Sequence, residues 1–143
     1  MKYLFVFLLL GLVSCGDASS NASENVKPKL NEYTEDEVTY PNGIVYLKKN
    51  MKPVTGILRD WHENGQLKTE TNCKDGKLNG LARGWYENGQ LEYEYNYEEG
   101  KFADGLCRNW HKNGQLKAEG TFKGNNRISA KCYDENGNKI ICD

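Results

Sequence analysis

The sequence has no excess of positive charge. It contains 19 Lys and Arg residues against 20 Asp and Glu residues, which gives a formal net charge of −1. Domains that bind the phosphate backbone of nucleic acids carry a basic surface, which attracts the phosphates and releases counterions. The balance of charge therefore argues against a nucleic-acid partner.

Signatures of catalysis and of metal binding are also missing. The chain has no Ser-His-Asp order, no Cys-x-x-Cys spacing and no glycine-rich phosphate loop. Its two histidines, His62 and His111, occupy equivalent positions of a repeated motif whose third copy has Tyr86 there. A position that accepts tyrosine is not a metal-ligand position. We therefore expect a protein that is not an enzyme and that holds no metal or other cofactor.

Helical periodicity is absent beyond the N-terminal segment. This part of the chain contains a repeated heptapeptide, Trp-x-x-Asn-Gly-Gln-Leu. It occurs three times, at Trp61–Leu67, Trp85–Leu91 and Trp110–Leu116. Successive tryptophans are 24 and then 25 residues apart. A fixed period in this range indicates a repeat array, in which each unit is one supersecondary element and neighbours stack to complete a core.

Each copy of the motif lies between two stretches in which apolar and polar residues alternate. The stretches after the turn are residues 67–73, 91–97 and 116–122. Alternation over seven residues predicts a strand with one buried face. The motif glycines, Gly65, Gly89 and Gly114, can supply the positive φ that a hairpin turn requires. Each unit is therefore predicted to be a β-hairpin.

Two hairpin registers are compatible with the Asn-Gly turn. A two-residue turn pairs Trp61 with Lys68, whereas a three-residue turn with the glycine in a bulge pairs Trp61 with Leu67. We favour the second register because it places the tryptophan and the leucine on one face. Continued along the strands, it pairs Arg59 with Thr69.

These units predict an all-β fold, an elongated antiparallel meander of consecutive hairpins with eight to ten strands over residues 39–143. They resemble the MORN-repeat variant of bacterial proteins, most closely from Gly56 to Gly124. The resemblance implies a β-hairpin module that binds or scaffolds other molecules. The family is often grouped with YwqK-type antitoxins, which implies an alternative role as an immunity or antitoxin-like protein that neutralises a partner toxin by direct binding.

The N-terminus has the features of a lipoprotein signal peptide at residues 1–14. An apolar stretch, Tyr3 to Val13, ends in Leu-Val-Ser followed by Cys15. This arrangement resembles the lipobox of bacterial lipoproteins, which implies cleavage before Cys15 and lipidation of that cysteine. An ordinary cleaved signal peptide with an incidental thiol at Cys15 is the alternative.

The segment that follows holds few large apolar residues. We therefore expect residues 15–38 to be the lipidated cysteine and a flexible tether. The anchor implies a location in the bacterial cell envelope, at the outer membrane, with the repeats facing the periplasm or the cell surface. The expected partners are then the membrane, through the lipid, and a protein, glycan or other envelope component.

Four cysteines remain beyond Cys15, an even number that permits two disulfides in an exported protein. Cys132 and Cys142 flank an Asn-Gly turn almost symmetrically and are a candidate disulfide across a hairpin. Cys73 occupies the position that holds Tyr97 and Phe122 in the other repeats, so it is interpreted as a buried thiol that acts as a small apolar group.

Three sets of side chains are candidates for the binding surface. The tryptophans are interpreted first as the buried spine of the array, because a thin sheet must bury its large apolar groups. The arginines Arg59, Arg83 and Arg108 either stack on those rings or pair with Glu70, Glu94 and Glu119. The tyrosines of the central repeat exceed what the equivalent positions of the other repeats require. The predicted surface is therefore Tyr86, Tyr93, Tyr95, Tyr97 and Arg83.

Overall fold

The computed structural model describes residues 30–142, which form β-strands joined by tight turns. In this part of the chain there is no α-helix, and two short 3-10 turns lie at Glu35–Glu37 and Pro41–Gly43. The expected signal peptide, Cys15 and residues 16–29 of the expected tether lie outside the described residues. The strands are β1 (Glu32–Thr34), β2 (Val38–Thr39), β3 (Tyr46–Leu47), β4 (Gly56–Trp61), β5 (Leu67–Lys74), β6 (Lys77–Trp85), β7 (Leu91–Glu98), β8 (Lys101–Phe102), β9 (Gly105–Trp110), β10 (Leu116–Lys123), β11 (Asn126–Tyr133) and β12 (Lys139–Ile140).

Ten of the strands form one sheet in the order β1-β4-β5-β6-β7-β9-β10-β11-β12, with β8 paired to β7. Strands β2 and β3 form a separate two-stranded sheet. From β4 onward each strand is antiparallel to the next, so the predicted series of hairpins is confirmed. The sheet is nevertheless mixed, because β1 runs parallel to β4.

The hairpin register agrees with the prediction at the turn and departs from it one residue later. Trp61 pairs with Leu67, but Arg59 pairs with Glu70 instead of Thr69, because the register shifts between Asp60 and Trp61. The second hairpin has the same shift just before Trp85. The extra residue lies in the second strand of each hairpin, Lys68 in β5 and Glu92 in β7, and it moves each arginine to the opposite face of the sheet from the one expected.

The buried core lies at the N-terminal end of the sheet and contains no tryptophan. It consists of Val38, Val45, Leu47, Val54, Leu58 and Cys73, with Tyr33 and Leu78 packed against it. Trp61 is 45% exposed, and Trp85 and Trp110 are partly exposed. The predicted tryptophan spine is therefore wrong. Each ring follows a register shift at the end of its strand, and the small residues Ala82 and Cys107 are buried in the repeats instead.

Residues 30–38 belong to the folded domain, although they were expected to be part of the tether. Strand β1 places Tyr33 opposite Leu58, and Val38 is only 2% exposed. These two apolar contacts, together with the pairing of β1 to β4 and the ion pair of Glu32 with Arg59 at 2.7 Å, hold the segment against the sheet. The approach of β1 depends on Gly56 (φ +151°), because a Cβ there would lie 2.2 Å from the carbonyl oxygen of Asn31.

The hairpin turns stack on one another through the asparagine of the repeated motif. The side-chain amide of Asn64 donates a hydrogen bond to the carbonyl oxygen of Glu87 at 2.9 Å, and Asn88 does the same to Lys112 at 2.8 Å. Asn113 continues the series to Glu135. The motif glycines have φ between +81° and +84°, as predicted. The motif therefore builds both the turn and its contact with the next repeat.

A disulfide joins Cys132 of β11 to Cys142, with a Cα–Cα distance of 5.3 Å. The thiols of Cys73 and Cys107 are free and buried. Burial of Cys73 among the core residues agrees with its interpretation as a small apolar group.

Candidate functional site

Five aromatic rings form a continuous cluster on one face of the sheet, and we call them the aromatic cluster. Its members are Tyr93, Tyr95 and Tyr97 of β7, Phe102 of β8 and Phe122 of β10. Ring centroids are 4.9 Å apart for Tyr93 and Tyr95, 5.0 Å for Tyr97 and Phe102, and 4.7 Å for Phe102 and Phe122. All three pairs are stacked, whereas Tyr95 meets Phe102 edge to face at 5.7 Å. These geometries are favourable for aromatic pairs.

The alternation of β7 and the small residues beside it explain why these rings gather. Tyr93, Tyr95 and Tyr97 are two residues apart, so their side chains share one face of the sheet. On β6, Gly84 pairs with Tyr93 and Ala82 pairs with Tyr95. A Cβ at Gly84 would lie 2.2 Å from the ring of Tyr93, so that ring lies directly over the glycine backbone.

The rings are partly exposed, and their hydroxyl groups remain neutral near physiological pH. Burial raises the pKa of Tyr93, Tyr95 and Tyr97 above the ordinary value of a tyrosine. The Tyr95 hydroxyl donates a hydrogen bond to the side-chain oxygen of Asn109 at 2.5 Å. The cluster therefore offers a partner apolar ring faces together with uncharged hydrogen-bonding groups, a combination that is enriched at interfaces.

Two hollows flank the cluster. The first, of about 270 Å³, lies between the tyrosines and the N-terminal segment, and its lining includes Glu35, Tyr40, Leu58 and Leu78. The second, of about 130 Å³, lies on the C-terminal side and is lined by Tyr95, Phe102, Cys107, Asn109, Gly120, Phe122, Arg127 and Ala130. We call it the Arg127 pocket. The ring of Tyr95 lines both hollows.

The structure does not bring Arg83 to the aromatic cluster. Arg83 pairs in the sheet with Glu94, and the guanidinium contacts that carboxylate at 2.8 Å. Neighbouring residues of a strand point to opposite faces, so Arg83 and Glu94 lie on the other side of the sheet from Tyr95. Equivalent pairs join Arg59 to Glu70 and Arg108 to Glu119. The arginines thus form cross-strand ion pairs, which was one of the two interpretations of the sequence.

Tyr86 also lies apart from the aromatic cluster. Its hydroxyl donates a hydrogen bond to the carbonyl oxygen of Trp110 at 2.8 Å. His62 and His111 make the equivalent contacts, to the carbonyl oxygens of Trp85 and Tyr133. Of the five residues predicted as a binding surface, the structure therefore brings together Tyr93, Tyr95 and Tyr97.

Three residues of the site were missed from the sequence. Phe122 shares its repeat position with Tyr97, and that correspondence was the available signal. Phe102 lies in the irregular connection between repeats, where alternation gives no face assignment. Arg127 follows a turn that differs from those of the other repeats, and its position beside Phe122 depends on the register shift in β10 between Thr121 and Phe122.

Residues 30–142 contain neither a candidate metal site nor a candidate membrane-spanning helix. No group of three or more His, Cys, Asp or Glu side chains there could hold a metal ion. Within the same residues, no helix is long and apolar enough to cross a membrane.

Comparison with protein families identifies the repeats. Three consecutive segments match the model of the MORN repeat variant. The matched residues run from just before β4 to the end of β10, so each match covers one hairpin and its connection to the next. No curated protein and no solved structure matched the chain significantly. The similarity to the MORN repeat variant therefore extends over three consecutive segments, residues 54–75, 78–99 and 103–123.

Proposed function

We propose that the protein is a membrane-anchored bacterial lipoprotein whose repeat sheet is a non-enzymatic binding module in the cell envelope. The observation that supports the binding role is the aromatic cluster, in which five rings contact one another and all remain partly exposed. Aromatic groups on a rigid surface contribute much of the energy of protein interfaces, because they bury a large area at a small entropic cost.

The fold itself does not require these tyrosines. In the first repeat, Thr69, Thr71 and Cys73 occupy the positions of Tyr93, Tyr95 and Tyr97, and the hairpin there has the same pairing pattern. In the third repeat the equivalent stretch is 118–122, which contains Ala, Gly and Phe at these positions. Rings that the architecture does not need, on a surface that solvent reaches, are candidates for contact with a partner.

At its N-terminal end, the same face of the sheet is covered by another segment of the chain. Within residues 30–142, the central part of the face has no such covering segment. The segment from Val38 to Val54 packs there and completes the core with Leu58 and Cys73. Beyond it, the aromatic cluster is not part of that core, and the described residues leave its rings partly exposed. A partner seated on the cluster would complete the burial that the N-terminal segment provides for the first repeat.

The anchor rests on the sequence of residues 1–15. Two or more acyl chains at Cys15 would hold the protein stably on a membrane. Metabolic labelling with palmitate tests this proposal. We expect label on the wild-type protein, the same label on Cys73→Ala, and none on Cys15→Ala. Label that persists in Cys15→Ala would show that the acyl group is attached elsewhere, and a wild-type protein without label would show that this anchor is absent.

The binding role can be tested with substitutions taken from the first repeat. The double variant Tyr93→Thr, Tyr95→Thr introduces threonine at both positions. The first repeat already has threonine at the equivalent positions, Thr69 and Thr71. We expect the immobilised protein to retain components of an envelope extract that the double variant does not retain. Trp61→Thr, which removes an exposed ring elsewhere, is the matched control and should bind like the wild type.

Two outcomes would contradict the proposal. The first is an unchanged set of retained components in the double variant. The second is a loss of stability on the scale of core truncation, about 3–5 kcal/mol per ring, because it would mean that the rings are structural. A single retained toxin, held in a one-to-one complex that suppresses its toxicity, would instead indicate the antitoxin-like alternative.

A further inference from the structure

Strand β11 has a long free edge. It pairs with β10 from Asn126 to Cys132, but β12 covers its other side only at Cys132 and Tyr133. Over residues 126–131 no second neighbour is present in the described structure, and all six residues are exposed. Ile128 is 62% exposed. An edge of this length offers unpaired N–H and C=O groups to another extended chain.

The Arg127 pocket lies beside this edge. Arg127 and Ala130 of β11 line it together with the rings of Phe102 and Phe122. Gly120 leaves room between them, since a Cβ there would lie 3.4 Å from the Phe122 ring and 3.6 Å from the Arg127 side chain. A cavity of about 150 Å³ holds one benzene molecule. The Arg127 pocket, at about 130 Å³, is therefore sized for a single side chain.

Arg127 differs from the other three arginines of the chain. Arg59, Arg83 and Arg108 each contact a glutamate across the sheet. The guanidinium of Arg127 has no ion pair or hydrogen bond with any residue from 30 to 142. A guanidinium that is not already paired can receive a carboxylate in a two-pronged contact, which is among the strongest polar contacts in proteins.

The hairpin of β10 and β11 is positively charged, although the whole chain is slightly negative. Residues 116–133 contain four cations and one anion, namely Lys117, Lys123, Arg127, Lys131 and Glu119. Two copies of the chain joined at β11 would bring two such hairpins together, with like charges near one another. The charge of the edge therefore disfavours a second copy and favours an acidic partner.

We propose that the edge of β11 binds an extended acidic segment of a partner protein as an added strand. One apolar side chain of that segment fills the Arg127 pocket, and a carboxylate two residues away contacts Arg127. The added strand supplies main-chain hydrogen bonds and the pocket supplies specificity, as in other cases of strand addition. This inference rests on the proposed binding function, for which it names the partner class and the site.

A synthetic peptide can serve as the probe. In the fluorescein-labelled octapeptide Ser-Glu-Thr-Phe-Thr-Glu-Thr-Ser, the phenylalanine and both glutamates share one face of an extended chain. We expect saturable binding to the full-length mature protein, measured by fluorescence anisotropy. Arg127→Glu should weaken binding by at least about tenfold, because a charge-assisted contact becomes a repulsion. The peptide with lysines in place of the glutamates should recover affinity for Arg127→Glu and not for the wild type.

Two further variants distinguish binding in the Arg127 pocket from a general effect of the protein's net charge. Lys49→Glu makes the same change of net charge at an exposed site near β3 and should leave binding unchanged. Gly120→Val places methyl groups in the pocket at a position where φ is not in the left-handed region, so the strand can accept it. We expect that variant to keep its thermal stability and to lose the peptide.

Main-chain pairing is tested by N-methylation of the peptide. One version carries methyl groups on its odd-numbered amides and the other on its even-numbered amides. Only one set of amides can face β11, so one version should lose binding and the other should keep it. The inference is overturned if both methylated peptides bind like the parent, or if the parent gives no saturable signal up to about 1 mM, the weak end of specific binding.

The failure of this inference can be distinguished from failure of the proposed function. Arg127→Glu and Gly120→Val are placed in the same envelope-extract experiment as the Tyr93→Thr, Tyr95→Thr variant. If the tyrosine variant loses retained components while the two pocket variants keep them, the strand-addition inference fails and the binding function stands. If the two pocket variants also lose retained components, and the wild type binds the peptide, both the strand-addition inference and the binding function are supported.

Discussion

The hydroxyl of Tyr86 donates a hydrogen bond to the carbonyl oxygen of Trp110, 24 positions further along the chain. His62 makes the equivalent contact to the carbonyl oxygen of Trp85 at 2.7 Å. A carbonyl oxygen can only accept, so the imidazole nitrogen that faces it must carry the proton. Histidine and tyrosine at the second position of the motif thus share one property, a donor that reaches a carbonyl oxygen of the following repeat.

Substitutions at Tyr86 test that assignment. Tyr86→Phe removes the hydroxyl donor, so the carbonyl oxygen of Trp110 loses this hydrogen bond. We therefore expect the free energy of unfolding to fall by about 1 kcal/mol. Tyr86→His restores a donor that two other repeats already use and should come within about 0.5 kcal/mol of the wild type. Urea denaturation monitored by tryptophan fluorescence measures both. A phenylalanine variant as stable as the wild type would show that the contact contributes nothing.

The turn glycine of the central hairpin should be irreplaceable. Gly89 has a φ of +81°, which a β-branched residue adopts only with strain, and a Cβ there would contact the Gln66 side chain at 3.4 Å. We expect Gly89→Val to cost about 1–3 kcal/mol, the usual range for a residue held in an unfavourable region. Gly120→Ala, at a glycine outside the left-handed region, is the control and should be nearly neutral. Equal melting temperatures for the two variants would contradict the prediction.

Acid should weaken the ion pair between Asp60 and Lys68. The Lys68 ammonium lies 2.8 Å from the Asp60 carboxylate and lowers the pKa of that carboxyl below its ordinary value. The pair therefore stabilises the fold at neutral pH, and its contribution is lost as the pH falls below about 4 and through the folded pKa. Lys68→Gln should be less stable than the wild type at pH 7, and the difference should disappear in acid.

The matched control for this titration is Lys52→Gln. Lys52 is exposed and forms no ion pair within the described part of the chain. Its replacement should therefore leave the loss of stability at acid pH unchanged. Chemical denaturation at a series of pH values measures all three proteins. A difference between wild type and Lys68→Gln that persists undiminished at low pH would show that Asp60 is not the titrating partner.

The free thiols should resist modification in the native protein. Burial raises the pKa of the Cys73 thiol to about 11, and burial also raises the pKa of Cys107. The thiolate is the reactive form, so only a small fraction reacts at pH 8. We expect peptide mapping to find little label on either cysteine after brief alkylation of native protein, and full label after unfolding. Rapid native labelling of Cys73 would mean that the core opens readily.

Local sequence pattern determined much of this fold. The alternation around each Asn-Gly turn was sufficient to predict the hairpins, and the pairing of Trp61 with Leu67 followed from the turn length. The register shift before each tryptophan was not predictable, because a bulge changes no residue type in the pattern. That single shift placed Leu58 in the core and moved Arg59 to the opposite face.

The candidate site was predicted only in part for the same reason. Tyr93, Tyr95 and Tyr97 lie on one regular strand, so alternation alone brings them together. Phe102, Phe122 and Arg127 reach the site through strand order and through a second register shift, which are tertiary properties. The parallel strand β1 was missed because three residues in a polar segment carry too weak a pattern, although Gly56 is needed for its close approach.

The stacked turns give the array a direction. Each asparagine donates toward the next repeat, from Asn64 to Glu87 and onward to Glu135, so every junction uses the same bond. The last turn makes its side-chain hydrogen bonds within itself. The carboxylate of Asp134 accepts hydrogen bonds from the backbone amides of Asn136 and Asn138. A duplicated internal repeat would therefore meet compatible neighbours on both sides, and gene duplication could lengthen the sheet without a new junction having to evolve.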